Sequence, residues 1–203
     1  MKPRESITAR AIILRTYPFQ EADLIIRALS AEHGKISLIA KYARKSKTRF
    51  SSPPDIFECG EFRYYKGRGS LLNLQSFKVE DSFLGLRSEL AKILLASFVC
   101  ECFDYLIKED DLAAQEVFHL LFECLGAVES SRDSTFAARA AFDSITQLLE
   151  HQGFSEMKEC ANFGKESLLL LARQIENIAE RQLRTASSLS SLDLPSRDAL
   201  RSY

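Results

Sequence analysis

Residues 56–79 read IFECGEFRYYKGRGSLLNLQSFKV, and this stretch decides the fold class. Two runs with frequent apolar and aromatic side chains flank KGRGS, the composition of a hairpin turn. Gly60 sits inside the first run, where a residue without a Cβ marks a bulge or a sharp bend. Working back toward the N-terminus, Ile7 to Arg15 is apolar on both faces, as a central strand is, and Leu24 to Leu29 is similar. AEHG, residues 31–34, supplies a glycine turn into KISLIAK, where Ile36, Leu38 and Ala40 alternate with Lys35, Ser37 and Ile39. Five strands in about eighty residues, with short turns and a mid-strand glycine, suit a small closed barrel better than a flat sheet.

Beyond residue 80 the period becomes helical. LRSELAKILLASFVCECFDYLIKE places Leu86, Leu90, Ile93, Leu94 and Val99 along one broad stripe, extended by Phe103 and Leu106. AAQEVFHLLFECLGAV repeats the pattern through Val117, Leu121, Leu125 and Val128. STFAARAAFDSITQLLEHQG opens with a Ser/Thr cap and closes at Gly153. KESLLLLARQIENIAERQLR sets Leu168, Leu171, Ile175 and Ile178 at helical spacing. Four helices with wide apolar stripes need one another, which predicts a compact bundle. The expected architecture is α+β: a five-stranded barrel over residues 1–80, then a helical domain over 81–203. The serine-rich tail beyond about residue 189, interrupted by Pro195, is expected to be loosely held.

Composition narrows the function classes. The 203 residues are 46% hydrophobic and 27% charged, the profile of a globular domain with a real core. The longest strongly apolar run, Ile93 to Cys100, is closed by Glu101, far short of the ~20 residues that span a bilayer. MKPRESITAR lacks the apolar core of a signal peptide, so a cytoplasmic location is expected. Five cysteines, odd in number and mostly in apolar segments, read as reduced thiols. Cys100 and Cys102 project about 200° apart on a helix, so they cannot share one ion, and no zinc or other cofactor is expected. Glu21 and Asp23 read as loop or cap residues; His33 and His119 have no tethered nucleophile beside them. The chain is expected not to be an enzyme.

Charge is the informative signal. The net charge of −1 hides a division. Residues 1–80 hold 15 Lys and Arg against 8 Asp and Glu, whereas residues 81–203 hold 12 against 20. A polyanion is attracted to the first part and repelled by the second. The positive charge concentrates in KYARKSKTRF, where Lys41, Arg44, Lys45, Lys47 and Arg49 lie within nine residues without an intervening acid. Such a run can be merely a solvated surface. This one is one-signed, lies on a loop between barrel strands, and has serines and the rings of Tyr42, Phe50, Tyr64 and Tyr65 close by. Cations for phosphates beside rings for bases are the parts of a single-strand-binding barrel. With Lys35 and Arg15 on neighbouring strands, these cations form the candidate nucleic-acid site. The tyrosines can equally be barrel core.

Over residues 7 to about 160 the sequence resembles the RecO family of bacterial recombination mediators. The resemblance is carried by AIILRTYPFQEADLIIRALSAEHGKISLIAKYARKSKTRF and by FRYYKGRGSLLNLQSFKVEDSF leading into a long helix. It implies an OB-fold followed by a helical domain, binding of single- and double-stranded DNA, and strand annealing. It also implies partnership with RecR and single-stranded-DNA-binding protein, assistance to RecA loading, and a nucleoid-associated location. Lys41, Arg44, Lys45, Lys47 and Arg49 fall on the family's basic loop, but its AKG becomes AKY here, with Tyr42 where glycine is usual. LLEHQGFSEMKECANFG resembles the segment where some members begin a C-x-x-C zinc site; here Phe163 stands where the second cysteine would be. The rival reading is an adaptor whose barrel binds RNA or an acidic protein tail.

Overall fold

The computed structural model describes residues 5–45, 50, 52–67, 69–109, 113–154 and 163–194. The chain forms two compact units, one of residues 1–82 with 107–119, the other of residues 83–106 with 120–203.

In the first unit five strands close a barrel in the order β1-β2-β3-β5-β4. They are β1 (Ile7–Phe19), β2 (Asp23–Ser30), β3 (Gly34–Ala40), β4 (Cys59–Lys66) and β5 (Leu72–Asp81). This is the closed barrel expected from the strand pattern, and it is consistent with the OB-fold that the resemblance implies. The thirteen-residue β1 is long enough to pair with β2 along one edge and β4 along the other. Closure comes from a short parallel contact of β3 with β5, Leu38 opposite Leu72 and Ile39 opposite Asn73. Alternate residues fill the interior, among them Ala9, Ala11, Ile13, Ile26, Leu38, Phe62 and Leu74. Small alanines on β1 leave room for the rings of Phe62 and Tyr64 on β4.

Gly60 is at an irregularity, as its place in the sequence suggests: the β4–β5 register shifts between Cys59 and Gly60. A Cβ there would run into the Lys78 carbonyl oxygen, so only glycine lets the two backbones approach this closely. The segment 107–119 adds to the same unit through a bridge between Gly34 and Glu109 and through the Arg10 guanidinium, 5.4 Å over the Phe118 ring.

The second unit is helical. It holds α1 (Leu90–Leu106), most of α2 (Ala114–Ser130), α3 (Ser134–His151), α4 (Lys165–Ala179) and the one-turn α5 (Ala186–Leu189). α1 packs on α3, α4 and α5, and it is buried over most of its circumference, including Lys92, Glu101 and Asp104. This central position blurs the expected stripe: Val99, Phe103 and Leu106 are buried, but Leu90 is 70% exposed. Leu90 begins the helix, after a separate 3-10 turn over Leu84–Ser88 that buries Leu86. The stripe of α2 is as expected, with Val117, Leu121, Leu125 and Val128 fully buried.

The cap of α3 is Asp133, one residue before the anticipated Ser134. Its carboxylate accepts the amides of Thr135 and Phe136 at 2.8 and 3.0 Å, and its charge also suits the positive end of the helix. Gly153, at φ +80, follows the helix end. The buried Glu101 carboxylate accepts the amides of Arg184 (3.1 Å) and Thr185 (2.9 Å) and the Thr185 hydroxyl (2.8 Å). Leu189, Leu192 and Leu194 are then buried, so the serine-rich segment is held through Leu194. Residues 195–203 and Cys160 lie outside the described residues. No described helix is long and apolar enough to cross a membrane.

Candidate nucleic-acid interface

The side-chain parity of β1 decides which of its residues reach solvent. Ala9, Ala11, Ile13 and Arg15 share one parity, so unbroken alternation would carry the Arg15 guanidinium into the barrel core. A register shift between Ile13 and Arg15 prevents this. Leu14 is the extra residue of the bulge, and beyond it Arg15 and Tyr17 are half-buried on the outer face. The Arg15 guanidinium carbon lies 5.4 Å from the centre of the Tyr17 ring.

Cross-strand register then builds a row. Arg15 is opposite Arg27 on β2, and Arg27 is opposite Ser37 on β3. Residues directly opposite on antiparallel strands share a face, so Arg15, Arg27 and Ser37 lie side by side, with Lys35 two residues from Ser37. A second row of Tyr17, Ile25 and Ile39 follows. Two like charges directly opposite on adjacent strands cost energy, and an anion between them offsets that cost. The outer face of β1–β3 therefore combines three cations with a ring and two aliphatic surfaces.

At the end of β3 the chain enters the basic turn. Tyr42 adopts φ +59, the left-handed region in which glycine is at ease, so the turn keeps a glycine conformation with tyrosine in it. The Asp23 carboxylate holds this turn by accepting the Tyr42 amide at 2.8 Å, and the Arg44 amide donates to the Ala22 carbonyl at 3.0 Å. Asp23 is thus a turn-builder. Glu21 accepts from Lys45 Nζ at 2.7 Å, a pair exposed on both sides and accordingly weak. Lys41, Arg44 and Lys45 are exposed. Ala43, within the cationic run, and Phe50, just after it, are core residues of the barrel and anchor it. Lys47 and Arg49 lie outside the described residues. Lys41, Tyr42 and Lys45 line a groove of about 450 Å³ together with Glu21, Asp23 and Ile39, which joins the turn to the β3 face.

The nearby rings divide. Tyr42 is 65% exposed, while Phe50 and Tyr64 are core. Burial raises the Tyr64 phenol to about 12, with Glu32 adding to the rise. Sequence reading missed Arg27 and Tyr17. The signal for Arg27 was a lone cation in the apolar run LIIRALS, the pattern of a strand with one face to solvent.

Residues 1–83 match the family model described as Recombination protein O N terminal. The chain is similar to the DNA repair protein RecO of Symbiobacterium thermophilum, 30% identical over 158 residues, 77% of this chain and 61% of that protein. It is also similar to the DNA repair protein RecO of Syntrophus aciditrophicus, 29% identical over 188 residues, 92% of this chain and 71% of that protein. The likeness to the protein of that name from Listeria welshimeri covers 47% of its length. The chain thus spans between about half and seven tenths of these relatives. The residues matched by the family model carry the cationic face, and over them the chain is similar to the N-terminal part of the RecO family.

Proposed function

We propose that this chain is a DNA repair mediator that binds and anneals single-stranded DNA and assists recombinase loading, without enzymatic turnover. The observation that carries the reading is the register that sets Arg15 beside Arg27 on the outer face leading to the Lys41–Lys45 turn. A phosphate backbone laid along β3 meets cations at both ends of the face and apolar surface between them. Its relatives' names supply the repair role. In this reading residues 1–80 are the nucleic-acid-binding domain, and the acidic residues 81–203 are repelled by DNA and present surfaces to protein partners. Those partners are RecR and single-stranded-DNA-binding protein, with RecA reached through them, in the cytoplasm at the nucleoid. Duplex DNA binds through the same cations.

The test is replacement of Arg44, Lys45, Lys47 and Arg49 together by glutamate. The expected result is loss of binding and annealing, measured with and without single-stranded-DNA-binding protein, with an unchanged circular dichroism spectrum. Normal binding with an unchanged salt slope would refute the assignment of the turn. A strong preference for RNA over DNA of equal length would favour the adaptor reading instead.

A further inference from the structure

The barrel seam holds a second cationic feature, which shares Lys35 and Ser37 with the β1–β3 face and adds residues that the face lacks. β3 and β5 pair only at Leu38–Leu72 and Ile39–Asn73 among the described residues, so the first half of β3 faces the β4–β5 turn across a gap. That gap is a groove of about 330 Å³, lined by His33, Lys35, Ser37, Lys66, Ser70 and Glu109 among others. The side chains of Lys35, Lys66 and His33 and the hydroxyls of Ser37 and Ser70 line it, beside the carboxylate of Glu109.

The local chain is built to present them. Ser30, fully buried, accepts the amides of Glu32 and His33 at 3.2 Å through its hydroxyl, and Gly34 turns the chain at φ +64. His33 is thereby held at the mouth of β3. On the opposite wall, Gly67 lies close enough to β5 that a Cβ there would meet the side-chain amide of Asn73.

We infer that this seam groove is a backbone-phosphate subsite, taking a phosphodiester of the strand that leaves the β1–β3 face past Ser37. The inference rests on the DNA-binding reading above and extends it to residues that reading does not contain: His33, Lys66 and Ser70. Continuity supports it, because Lys35 and Ser37 belong both to the face and to the groove. Glu109 is the carboxylate that lines the groove among the described residues, so it opposes such a phosphate and sets the affinity below its maximum.

The test measures binding of oligo-dT of increasing length across a salt series for Lys66→Glu, Glu109→Gln, the control Lys78→Glu on exposed β5 surface, and Arg44→Glu with Lys45→Glu. Lys66→Glu is expected to lower the log–log salt slope by roughly 0.7 and to weaken binding roughly eightfold at 0.05 M salt. It should also shorten the oligonucleotide length at which affinity stops rising, by about one to two nucleotides within the ~4–16 that one such barrel covers. Glu109→Gln is expected to tighten binding, which a merely damaged fold cannot do. The subsite is overturned if Lys66→Glu behaves like Lys78→Glu and Glu109→Gln changes nothing while the turn variant loses binding. If the turn variant and Lys66→Glu both bind as wild type, the DNA-binding reading falls, and the subsite with it.

Discussion

Arg27→Gln is the sharpest probe of the barrel face, because Arg27 is central to it. The residue lies opposite Arg15 on one side and Ser37 on the other. It is half-buried and outside the barrel's core cluster. Glutamine keeps a polar side chain of similar reach without the charge, so the cost to stability should stay below about 1 kcal/mol. Binding should change in a defined way. One lost phosphate contact removes roughly 0.7 from the slope of log affinity against log salt on single strands. Carried from 1 M down to 0.05 M, that slope corresponds to roughly an eightfold loss; at 0.5 M it is less than about twofold. Fluorescence anisotropy of a labelled oligo-dT at four salt concentrations reads both quantities. The sequence of the oligonucleotide should matter little, because phosphate contacts position a protein without reading bases. A folded Arg27→Gln protein with the wild-type slope would show that the β1–β3 face is not the path of the strand.

Two further outcomes concern the fold. Tyr42→Gly should stabilise the protein, because a non-glycine residue in the left-handed region costs about 1–2 kcal/mol and glycine's extra unfolded entropy returns about 0.5–1; a lower urea midpoint would contradict this. Cys124 has its thiol pushed up to about 11, chiefly by burial, from an ordinary 9.0. A raised folded-state value means that the protonated thiol's contribution is complete below pH 9 and is lost as pH rises through 11. The advantage of wild type over Cys124→Ala should therefore shrink by about 1–2 kcal/mol between pH 8 and pH 10.5. Urea melts at the two pH values that differ by a constant amount would disprove it.

The barrel was legible because its signals are local. Alternation in KISLIAK, the glycine turn at Gly34 and the mid-strand Gly60 each report on a few neighbouring residues, and each is where the sequence pattern puts it. The cationic run was legible for the same reason. Arg27 was not, since its value depends on register: only the bulge at Leu14 brings Arg15 round to stand beside it. Parity counted along β1 without that extra residue sends Arg15 inward. The helical half was read less exactly where a helix is surrounded. α1 buries Lys92, Glu101 and Asp104 with its apolar residues, so no single stripe describes it, and Leu90 is left exposed at its start. Serine-rich composition likewise concealed the hold on residues 184–194, because what anchors them is a carboxylate more than eighty positions earlier.

That anchor has a consequence for how the protein is made. Glu101 emerges from the ribosome as part of α1, and its two amide partners at 184 and 185 follow 83 and 84 positions later. At synthesis rates of about 5–20 residues per second, the carboxylate waits roughly 4–17 seconds for them. Throughout that interval it lacks the three bonds from Arg184 and Thr185, and water has to supply them, because leaving them unmade on a buried carboxylate is expensive. The centre of the helical unit therefore stays wet until its last segment arrives. Its final closure is timed by translation, while the five strands, encoded first and complete by Asp81, have no such wait.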